Sequence, residues 1–546
     1  MSRLNGETPG LSSHIFYSTT PSKGMWWWCL SAVCAVQRLE RGGKWIGVDD
    51  RIRVSTSCIE DVEANRSRRW RMGDTWLIWP DNISRAVASL QKESCVSAVE
   101  IYPVHGRYLR GGVCSDPYLA YQNYIFETNA DIGWLRRGPH ETSVIVVDDG
   151  IGFHRDILVR ERFPMSSRYF GAHSNSVATV AAALSNGHGL CGVNGKARVI
   201  DINLLAENFI SDLGESLAFD DVHAGYNAVY CNSWGPTDDG RCEKAGPLLQ
   251  ATLEDKIANG RRGYGGIYIF AAGNGGSDEN VNDDGYANSP YTISVAAVYN
   301  NGPAYFSEWG ACISVSAPGY QLLSGGEDDT YIYFYGTSAA APIVAGIASL
   351  VLSIQPDIYW YDMQEIIMAS ARLIGAGWTH NAAQRRYHYS LGSGVVDADR
   401  ATRLAQMWVA SQKRANLSQV FEQTTSLPSL TIFDVQSDSR VEHVVLCVSI
   451  TDGLARTGDG SSIGAWVQSP SGTRSLLTRP TTRVSIIEGC SYHDWCFTSL
   501  VQWGEESRGK WIVYTEDSST KQTARLRRLR MDLLGSQETF SMYGCE

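Results

Sequence analysis

The chain has 546 residues, of which 43% are hydrophobic and 19% charged, and its 47 Lys and Arg against 58 Asp and Glu give a formal net charge of −11 at pH 7. This apolar content excludes a mainly disordered chain, and a single hydrophobic core stops growing near about 250–300 residues, so we expect several folded domains. A net acidic chain with no patch rich in Lys and Arg is poorly suited to a phosphate backbone, so no nucleic-acid partner is expected.

Residues 1–36 form a candidate signal segment. The apolar run at residues 25–36, MWWWCLSAVCAV, follows Lys23 and ends in small residues, as the core of a secretory signal does. A buried segment of an N-terminal domain is the alternative. No run reaches the ~18–20 apolar residues that cross a bilayer, so no transmembrane segment is predicted. Three N-x-S sequons are compatible with secretion: Asn65, Asn82 and Asn416.

The 13 cysteines are too sparse for a disulfide scaffold, and they form no CxxC pairs with zinc-ligand spacing. Their odd number leaves at least one thiol unpaired or bonded to another chain. A few disulfides remain open, and we assign no pairs.

Three regions with different sequence patterns follow one another along the chain. Residues 37–110 mix short apolar runs with basic clusters, RSRR at 66–69 and RYLR at 107–110. Residues 111–410 alternate Val/Ile runs such as SVIVVDDG with small-residue helical runs such as SAAAPIVAGIASLVLSI, which predicts an α/β domain with a buried parallel sheet. Residues 420–535 contain alternating strands separated by Gly, Ser, Asp and Pro, which predicts an antiparallel β-sandwich.

Three residues in the α/β region have the chemistry of a nucleophilic triad. Asp148 ends SVIVVDDG, His173 opens a helical run, and Ser338 stands in GTSA before another helix. Sites in open α/β sheets form beyond the carboxyl ends of the strands, so these side chains can converge. A serine hydroxyl needs an imidazole to take its proton and a carboxylate to orient that imidazole. Taken singly, a strand-end Asp, a core His and a helix-capping Ser are each commoner than a catalytic residue.

The segments around these residues, VIVVDDGI, AHSNSVATVAAALSNG and YGTSAAAPIVAG, resemble the three signature segments of subtilisin-like serine proteases, in the same order. Three signatures together outweigh the commoner interpretation of each residue alone. NSWGP, DGYANS and a tail that contains SPSGTRSLL and DWCFTSLVQWGEESRGKWIV resemble kexin and furin, the proprotein convertases. The resemblance covers residues 110–535. It implies a subtilisin-like α/β catalytic domain with a parallel sheet between helices, then an antiparallel β-sandwich P domain, preceded by a small α+β propeptide at 37–110.

The resemblance also implies roles for residues around the triad. Asn274, in FAAGNGG, matches the oxyanion-hole asparagine. Asp238 and Asp284 would bind the Arg before the scissile bond, because a carboxylate is the partner that a guanidinium needs. Asp149 would bind the basic residue before that Arg. Two acids in SDLGE match the stretch that receives a basic residue four positions before the cut: Asp212 and Glu215.

Calcium is implied by the same resemblance, since hard oxygen ligands from distant loops are what Ca²⁺ requires. One site would lie below the pocket for Arg: Asp238, Asp278 and Glu308. The other would be structural, with a loop that carries an insertion relative to the family pattern: Asp116, Asp156 and Asn186.

Three stretches depart from the family pattern. Ser174 and Asn175 follow the catalytic histidine where the family has Gly-Thr, which places larger polar groups at a close packing contact. Phe170 stands where an acid is expected, which weakens the case for dibasic selectivity. Ala245 replaces the acid ahead of a Gly-Pro pair, and Glu243 is a candidate substitute.

We predict a calcium-dependent serine endopeptidase, in a Golgi-like compartment of the secretory pathway or secreted, that cuts precursor proteins after Arg at basic sites. Its expected partners are those precursors and its own propeptide, which it would release by self-processing after Arg110, with a second cut after Arg69. Two alternatives remain open. One is an inert relative that uses the cleft and sandwich for binding, and the other is an active protease of broader specificity.

Overall fold

The computed structural model describes residues 114–164, 170–205, 210–220, 227–239, 241–408, 414–451, 463–480, 492–518 and 524–536, together with the backbone of five strands between residues 38 and 104. The chain divides into two compact units, residues 1–112 with 541–546, and residues 113–540. The candidate signal segment and the predicted cut after Arg110 lie outside the described residues.

The first unit contains an antiparallel sheet of five strands: β1 (Arg38–Arg41), β2 (Lys44–Thr56), β3 (Arg68–Met72), β4 (Thr75–Trp79) and β5 (Val96–Val104). The order is β1-β2-β4-β3, and β5 also pairs with β2. These strands fall within the predicted propeptide region.

The second unit begins with an α/β domain built on one sheet of eight strands: β6 (Ser143–Asp148), β7 (Val159–Pro164), β8 (Arg198–Asn203), β9 (Ala228–Asn232), β10 (Tyr268–Ala271), β11 (Thr292–Tyr299), β12 (Gly302–Pro303) and β13 (Ile313–Pro318). The order is β12-β11-β10-β9-β6-β8-β7, with β13 also beside β11, and every pair except β11–β12 is parallel. The central strands are apolar and buried, as expected for a sheet covered on both faces. The predicted parallel sheet is confirmed.

The described part of this domain has eight α-helices: α1 (Asn123–Glu127), α2 (Ala130–Gly133), α3 (Ala172–Ala182), α4 (Asp212–Ala218), α5 (Pro247–Gly263), α6 (Thr337–Ile354), α7 (Trp360–Ser370) and α8 (Ala398–Met407). Helix α6 is long and apolar enough to span a bilayer, but it is buried in the core of the domain. A β-carbon on Gly346 of α6 would lie 2.6 Å from the Cβ of Val193, so this close approach requires glycine.

Two hairpins complete the α/β domain. The first joins β14 (Leu322–Gly325) to β15 (Tyr331–Phe334), and the second joins β16 (Thr379–His380) to β17 (Arg386–Tyr387). The first hairpin reaches the catalytic region, because the ring of Phe334 packs edge-to-face against His173 with 5.3 Å between ring centroids.

The C-terminal region consists of antiparallel strands: β18 (Arg414–Ser426), β19 (Ser429–Val435), β20 (Arg440–Thr451), β21 (Ile463–Gln468), β22 (Arg474–Thr478), β23 (Trp495–Ser499), β24 (Gly509–Asp517) and β25 (Arg525–Ser536). They form two four-stranded sheets with the orders β18-β25-β20-β23 and β19-β24-β21-β22. Every second side chain of β19 and β24 is buried in one shared core. The predicted antiparallel β-sandwich is confirmed.

The sandwich packs against residues 280–288 of the α/β domain, a segment here called the pocket loop. Asn282, fully buried, makes three contacts across this boundary. Its side-chain amide donates to the carbonyl of Leu477 at 3.2 Å, its Oδ1 accepts from the N–H of Thr498 at 2.9 Å, and its carbonyl accepts from the indole of Trp495 at 3.1 Å. The sandwich therefore holds this loop directly.

Two disulfides join described cysteines. Cys114 bonds to Cys191, 77 residues away, and Cys447 bonds to Cys496, its directly opposite neighbour on β20 and β23. The sequence predicts no pairs, because most cysteines of the family's disulfides lack counterparts in this chain. The thiols of Cys231 and Cys312 are free and buried.

Candidate active site

Asp148 and His173 form a hydrogen-bonded pair at the carboxyl edge of the sheet. Asp148 ends β6 with 1% exposure, and His173 is the second residue of α3. Nδ1 of His173 lies 2.9 Å from both carboxylate oxygens, which leaves Nε2 to accept a proton. Burial disfavours the charged ring, but Asp148, with a contribution from Asp149, outweighs it and raises the pKa of His173 to about 9.

Ser338 is the second residue of α6 and follows Gly336, whose φ of 103° favours glycine. Its Oγ donates to the carbonyl of Ser233 at 2.9 Å, and the Oγ of Ser233 donates to the carbonyl of Ser338 at 3.0 Å. The hydroxyl must leave the Ser233 carbonyl before it donates to His173. Ser233 lies in the NSWGP motif, and the sequence predicts no role for it.

Asn274 follows β10 and is oriented by the start of α6. Its Oδ1 accepts from the backbone N–H of Thr337 at 2.9 Å and from the Thr337 hydroxyl at 3.1 Å. This leaves the Nδ2 amide of Asn274 as the donor end. The N–H of Ser338 is a second donor, because the first turn of a helix has no intrahelical acceptor for its N–H groups. The two donors can stabilise a developing oxyanion.

The two polar residues after the catalytic histidine fit without disturbing it. The Ser174 hydroxyl donates to the carbonyl of Gly150 at 2.5 Å. Asn175 joins two loops, because its Oδ1 accepts from the N–H of Gly152 at 2.8 Å and its Nδ2 donates to the carbonyl of Gly326 at 2.7 Å. Both side chains are buried and hydrogen-bonded. Their presence in place of the family's Gly-Thr, which suggested an inert relative, therefore leaves the pair of Asp148 and His173 intact.

Asp238 and Asp284 lie beside the segment that leaves β9. Asp284, in the pocket loop, accepts from the N–H of Tyr286 at 2.7 Å, and Asp238 accepts from the N–H of Asn274 at 3.0 Å. A β-carbon on Gly235 would lie 3.0 Å from Asp284 Oδ2, so the bare glycine leaves space over the carboxylate. Burial raises the pKa of Asp284 to about 7, and the charge of Asp238 adds to the effect.

Asp212 and Glu215 lie on α4 and already have partners. The two carboxylate oxygens of Asp212 accept from the N–H groups of Leu248 and Leu249, each at 2.9 Å, and so cap α5. Glu215 is buried and accepts from the hydroxyl of Tyr286 at 2.9 Å. Burial raises the pKa of Glu215, and the charge of Asp212 adds to this.

Two further acids named in the sequence analysis, Asp149 and Glu243, each contact the backbone of a neighbouring segment. Asp149 accepts from the N–H of Ser174 at 3.0 Å in the first turn of α3. Glu243 forms a backbone bridge with Asp284, and its charge contributes to the raised pKa of Asp284. Ala245 is buried, so the position that holds an acid in the family pattern holds a packed apolar side chain here.

The first predicted calcium set is only partly assembled. Glu308 is buried and accepts from the N–H of Gly275 at 3.1 Å. Burial raises the pKa of Glu308 well above its ordinary value, and the adjacent Asp238 adds to this. Asp278 ends a 3₁₀ turn, Gly276–Asp278, and among the described residues the three carboxylates do not all come within 4.8 Å of one another.

The second predicted calcium set is assembled around one loop. Asp116 and Asp156 are 3% and 0% exposed, and the loop that begins at Asn186 passes over both. The N–H of Gly187 donates to Asp116, and the Asn186 amide lies 3.4 Å from Asp156 Oδ1. Burial raises the pKa of Asp116, and the charge of Asp156 adds to it. The two adjacent buried carboxylates are hard oxygen donors of the kind that Ca²⁺ binds, whereas Oδ1 of Asn186 accepts from the N–H of His188 at 2.8 Å and its Nδ2 faces Asp156.

Comparison with known proteins gives the same two-part organisation. Residues 141–397 match the subtilase family, and residues 442–533 match the proprotein convertase P domain. The chain is 28% identical to a dibasic-processing endoprotease of Yarrowia lipolytica over 80% of its own length and 49% of that protein. It is 30% identical to human proprotein convertase subtilisin/kexin type 6 over 76% of its length and 48% of the relative. The chain thus spans about half the length of these relatives.

A solved structure shares the fold. The serine protease of Aeromonas sobria superposes with a TM-score of 0.68 at 20% identity, over 77% of this chain and 96% of that one. The sheet, the paired Asp148 and His173 and the placement of Ser338 define a subtilisin-like peptidase domain of the subtilase family. With the P domain that follows, the chain belongs to the proprotein convertases, the family of kexin and furin.

Proposed function

We propose that this chain is a calcium-dependent serine endopeptidase that cuts precursor proteins after Arg at basic sites. One observation carries the proposal. The pair of Asp148 and His173 and the nucleophile Ser338 share the sheet edge with two carboxylates, Asp238 and Asp284. A guanidinium that enters beside Asp284 supplies the positive charge that this buried carboxylate lacks, so binding would lower the pKa of Asp284 and keep it ionised.

The reaction begins when Ser338 leaves the Ser233 carbonyl and donates its proton to Nε2 of His173. The Oγ then attacks the carbonyl carbon of the Arg residue, and the Nδ2 of Asn274 and the N–H of Ser338 donate to the oxyanion. Asp148 stabilises the imidazolium, which next donates its proton to the leaving amine, and the peptide bond breaks. Water repeats the sequence on the acyl-enzyme with His173 as base.

One calcium ion would be held by Asp116, Asp156 and Asn186. A second would be held near the pocket by Asp238 and Glu308. When bound, the ion supplies positive charge that lets adjacent buried carboxylates stay ionised. Glu308 accepts from the N–H of Gly275, and Asp238 accepts from the N–H of Asn274. These two carboxylates therefore also hold the backbone around Asn274 in position.

The proposed setting follows from the family. The chain would work in the secretory pathway, or outside the cell, on precursors that carry basic sites. It would also release its own propeptide by cutting after Arg110. N-terminal sequencing of the secreted protein should then begin at Gly111, and the Ser338→Ala protein made in cells without other convertases should stay uncut.

The central test uses the purified chain with fluorogenic Arg-Tyr-Leu-Arg and Ala-Ala-Pro-Phe peptides, with and without Ca²⁺. The Arg peptide should be hydrolysed in Ca²⁺, and Ser338→Ala should lower kcat at least about 10⁴-fold with an unchanged circular dichroism spectrum. Equal hydrolysis of both peptides would support the alternative of a protease with broader specificity, which the Phe170 in place of an acid favours. No hydrolysis and no labelling of Ser338 by a fluorophosphonate would support the inert relative.

A further inference from the structure

Phe170, Gly171 and Asp149 form a continuous surface next to His173, here called the second subsite. Phe170 is 41% exposed and leads directly into α3. A β-carbon on Gly171 would collide with the carboxylate of Asp149, so this carboxylate lies directly on the backbone beside Phe170. The second subsite is therefore one wall of the cleft, on the side of α3.

This wall faces the residue that precedes the scissile Arg. Successive side chains of an extended peptide point to opposite sides. With the Arg side chain directed to Asp284, beside β9, the side chain before it is directed to the opposite wall, which His173 and the second subsite form. The groups on this wall therefore decide which residue is accepted there.

A positive charge is fixed at this wall. The guanidinium carbon of Arg162, on β7, lies 4.7 Å from the centre of the Phe170 ring. Arg162 is held in place by Asp201, since its NH1 lies 2.9 Å from Oδ2 of that fully buried carboxylate. Asp201 is anchored in turn, because its Oδ1 accepts from the N–H of Ile151 at 3.2 Å. Asp201 offsets part of this charge, but the group that contacts Phe170 is a guanidinium and not a carboxylate, so a Lys or Arg of the substrate would meet a cation there instead of an acid.

The carboxylate at this wall is already engaged. Asp149 accepts from the N–H of Ser174, in the first turn of α3, at 3.0 Å. Burial and the charge of Asp148 raise the pKa of Asp149. One hydrogen-bonded and partly buried carboxylate is a weaker partner for a cation than two free ones, and the second acid expected by family resemblance is Phe170.

We propose that the second subsite selects an apolar side chain such as Leu, rather than Lys or Arg, immediately before the scissile Arg. Phe170 and Arg162 are its specificity determinants. This proposal rests on the proposed function as an endopeptidase that cuts after Arg. The chain's own predicted processing site agrees with it, because RYLR at residues 107–110 places Leu109 before Arg110.

The test compares two fluorogenic peptides, Arg-Tyr-Leu-Arg and Arg-Tyr-Lys-Arg, on the wild-type protein. The expected kcat/KM is about tenfold higher for the Leu peptide, the size of one interaction with a charged group. Phe170→Asp introduces the missing acid on an exposed position and should reverse the order, mainly by raising kcat/KM for the Lys peptide. Leu430→Asp, 59% exposed on β19, adds the same charge far from the cleft and should leave the ratio unchanged.

The outcomes separate this proposal from the function on which it rests. A wild-type preference for the Lys peptide would overturn the second subsite and leave cleavage after Arg standing. Hydrolysis of neither peptide would overturn both. A Phe170→Asp protein whose ratio stays within about twofold of wild type would overturn the assignment of Phe170.

Discussion

The candidate triad and the proposed pocket for Arg lie at the same edge of one sheet, but different parts of the chain hold them. Asp148, His173 and Ser338 each lie within two residues of an end of β6, α3 or α6, all in the α/β domain. Asp284 lies in the pocket loop, which the P domain holds through Asn282. The proposed cleavage chemistry would therefore belong to the α/β domain, whereas the shape of the proposed pocket depends on both domains.

The two regions also differ in charge compensation. Asp148 has a partner, the His173 ring, whose pKa is raised to about 9. The charges that act on Asp284 are those of Asp238 and Glu243, both negative, and they help burial to raise its pKa to about 7. The charge of Asp148 is therefore balanced by His173, whereas the acids that act on Asp284 add negative charge, as the proposed pocket for Arg requires.

The substitution with the largest expected effect is Asp284→Asn, which changes the proposed pocket and leaves the triad unchanged. It removes a buried charge partner of the Arg substrate, so kcat/KM for Arg peptides should fall about 10²–10³-fold. The melting temperature should hold or rise, because one of several mutually repelling carboxylates is lost. Asp283→Asn is the matched control, since Asp283 is a neighbouring acid whose pKa burial also raises to about 7. Equal losses in both variants would contradict the proposed pocket.

Removal of calcium tests whether the acidic clusters need an outside cation. EGTA should abolish activity and lower the melting temperature, since an ion that binds only the folded state stabilises it by about 2.7 kcal/mol at 100 times its Kd. Asp156→Asn should remove most of the calcium-dependent stabilisation, whereas Glu308→Gln should act mainly on activity toward Arg peptides. Calorimetry that shows the same melting temperature in EGTA and in millimolar Ca²⁺ would rule calcium out as a structural ion.

Asn282→Ala removes two of the hydrogen bonds between the P domain and the pocket loop. It leaves the N–H of Thr498 without its side-chain partner, whereas the carbonyl of Leu477 still accepts from Asn280 at 2.8 Å, so we expect a loss of about 1–3 kcal/mol in the free energy of unfolding. KM for Arg peptides should rise more than kcat falls, which steady-state kinetics can separate. A pure loss of kcat would show that the triad, too, depends on the P domain.

The smallest expected effect is on the pH profile of the triad. The rate requires neutral His173, so kcat/KM should rise with pH toward the pKa of about 9. Asp149→Asn removes a negative charge that helps to raise that pKa, so the acid limb should move to lower pH by less than about one unit. Asp434→Asn, exposed on β19, should leave it in place. A shift to higher pH would contradict the assignment.

The contribution of the same Asp148–His173 pair to the free energy of unfolding changes with pH in the opposite direction. Because the folded pKa of His173 is raised from 6.5 to about 9, its contribution to the free energy of unfolding is complete below about pH 6.5 and is lost as the pH rises through 9. Activity and this stabilisation therefore change in opposite directions between those two values.

Local patterns predicted the elements that carry the triad. The Val/Ile run before Asp148 specifies a buried strand, and the Gly-Thr-Ser run specifies the start of α6, because each depends on neighbours in sequence. Asp212 shows the limit of this reasoning. Its role in substrate binding stays a prediction, whereas the contact of its two oxygens with the start of α5, about 36 residues further on, was not foreseen. No local pattern reports such a contact.

The sequence by itself predicted the class of fold, which the structure confirms, and a candidate triad, since these follow from periodicity and from short motifs that resemble a known family. Only the tertiary structure decided how Asn282 ties the pocket loop to the P domain, which cysteines pair, and that Arg162 stands at the Phe170 wall. The physical reason is the same in each case. These contacts join residues far apart in the chain, and folding alone brings them within hydrogen-bonding or van der Waals distance.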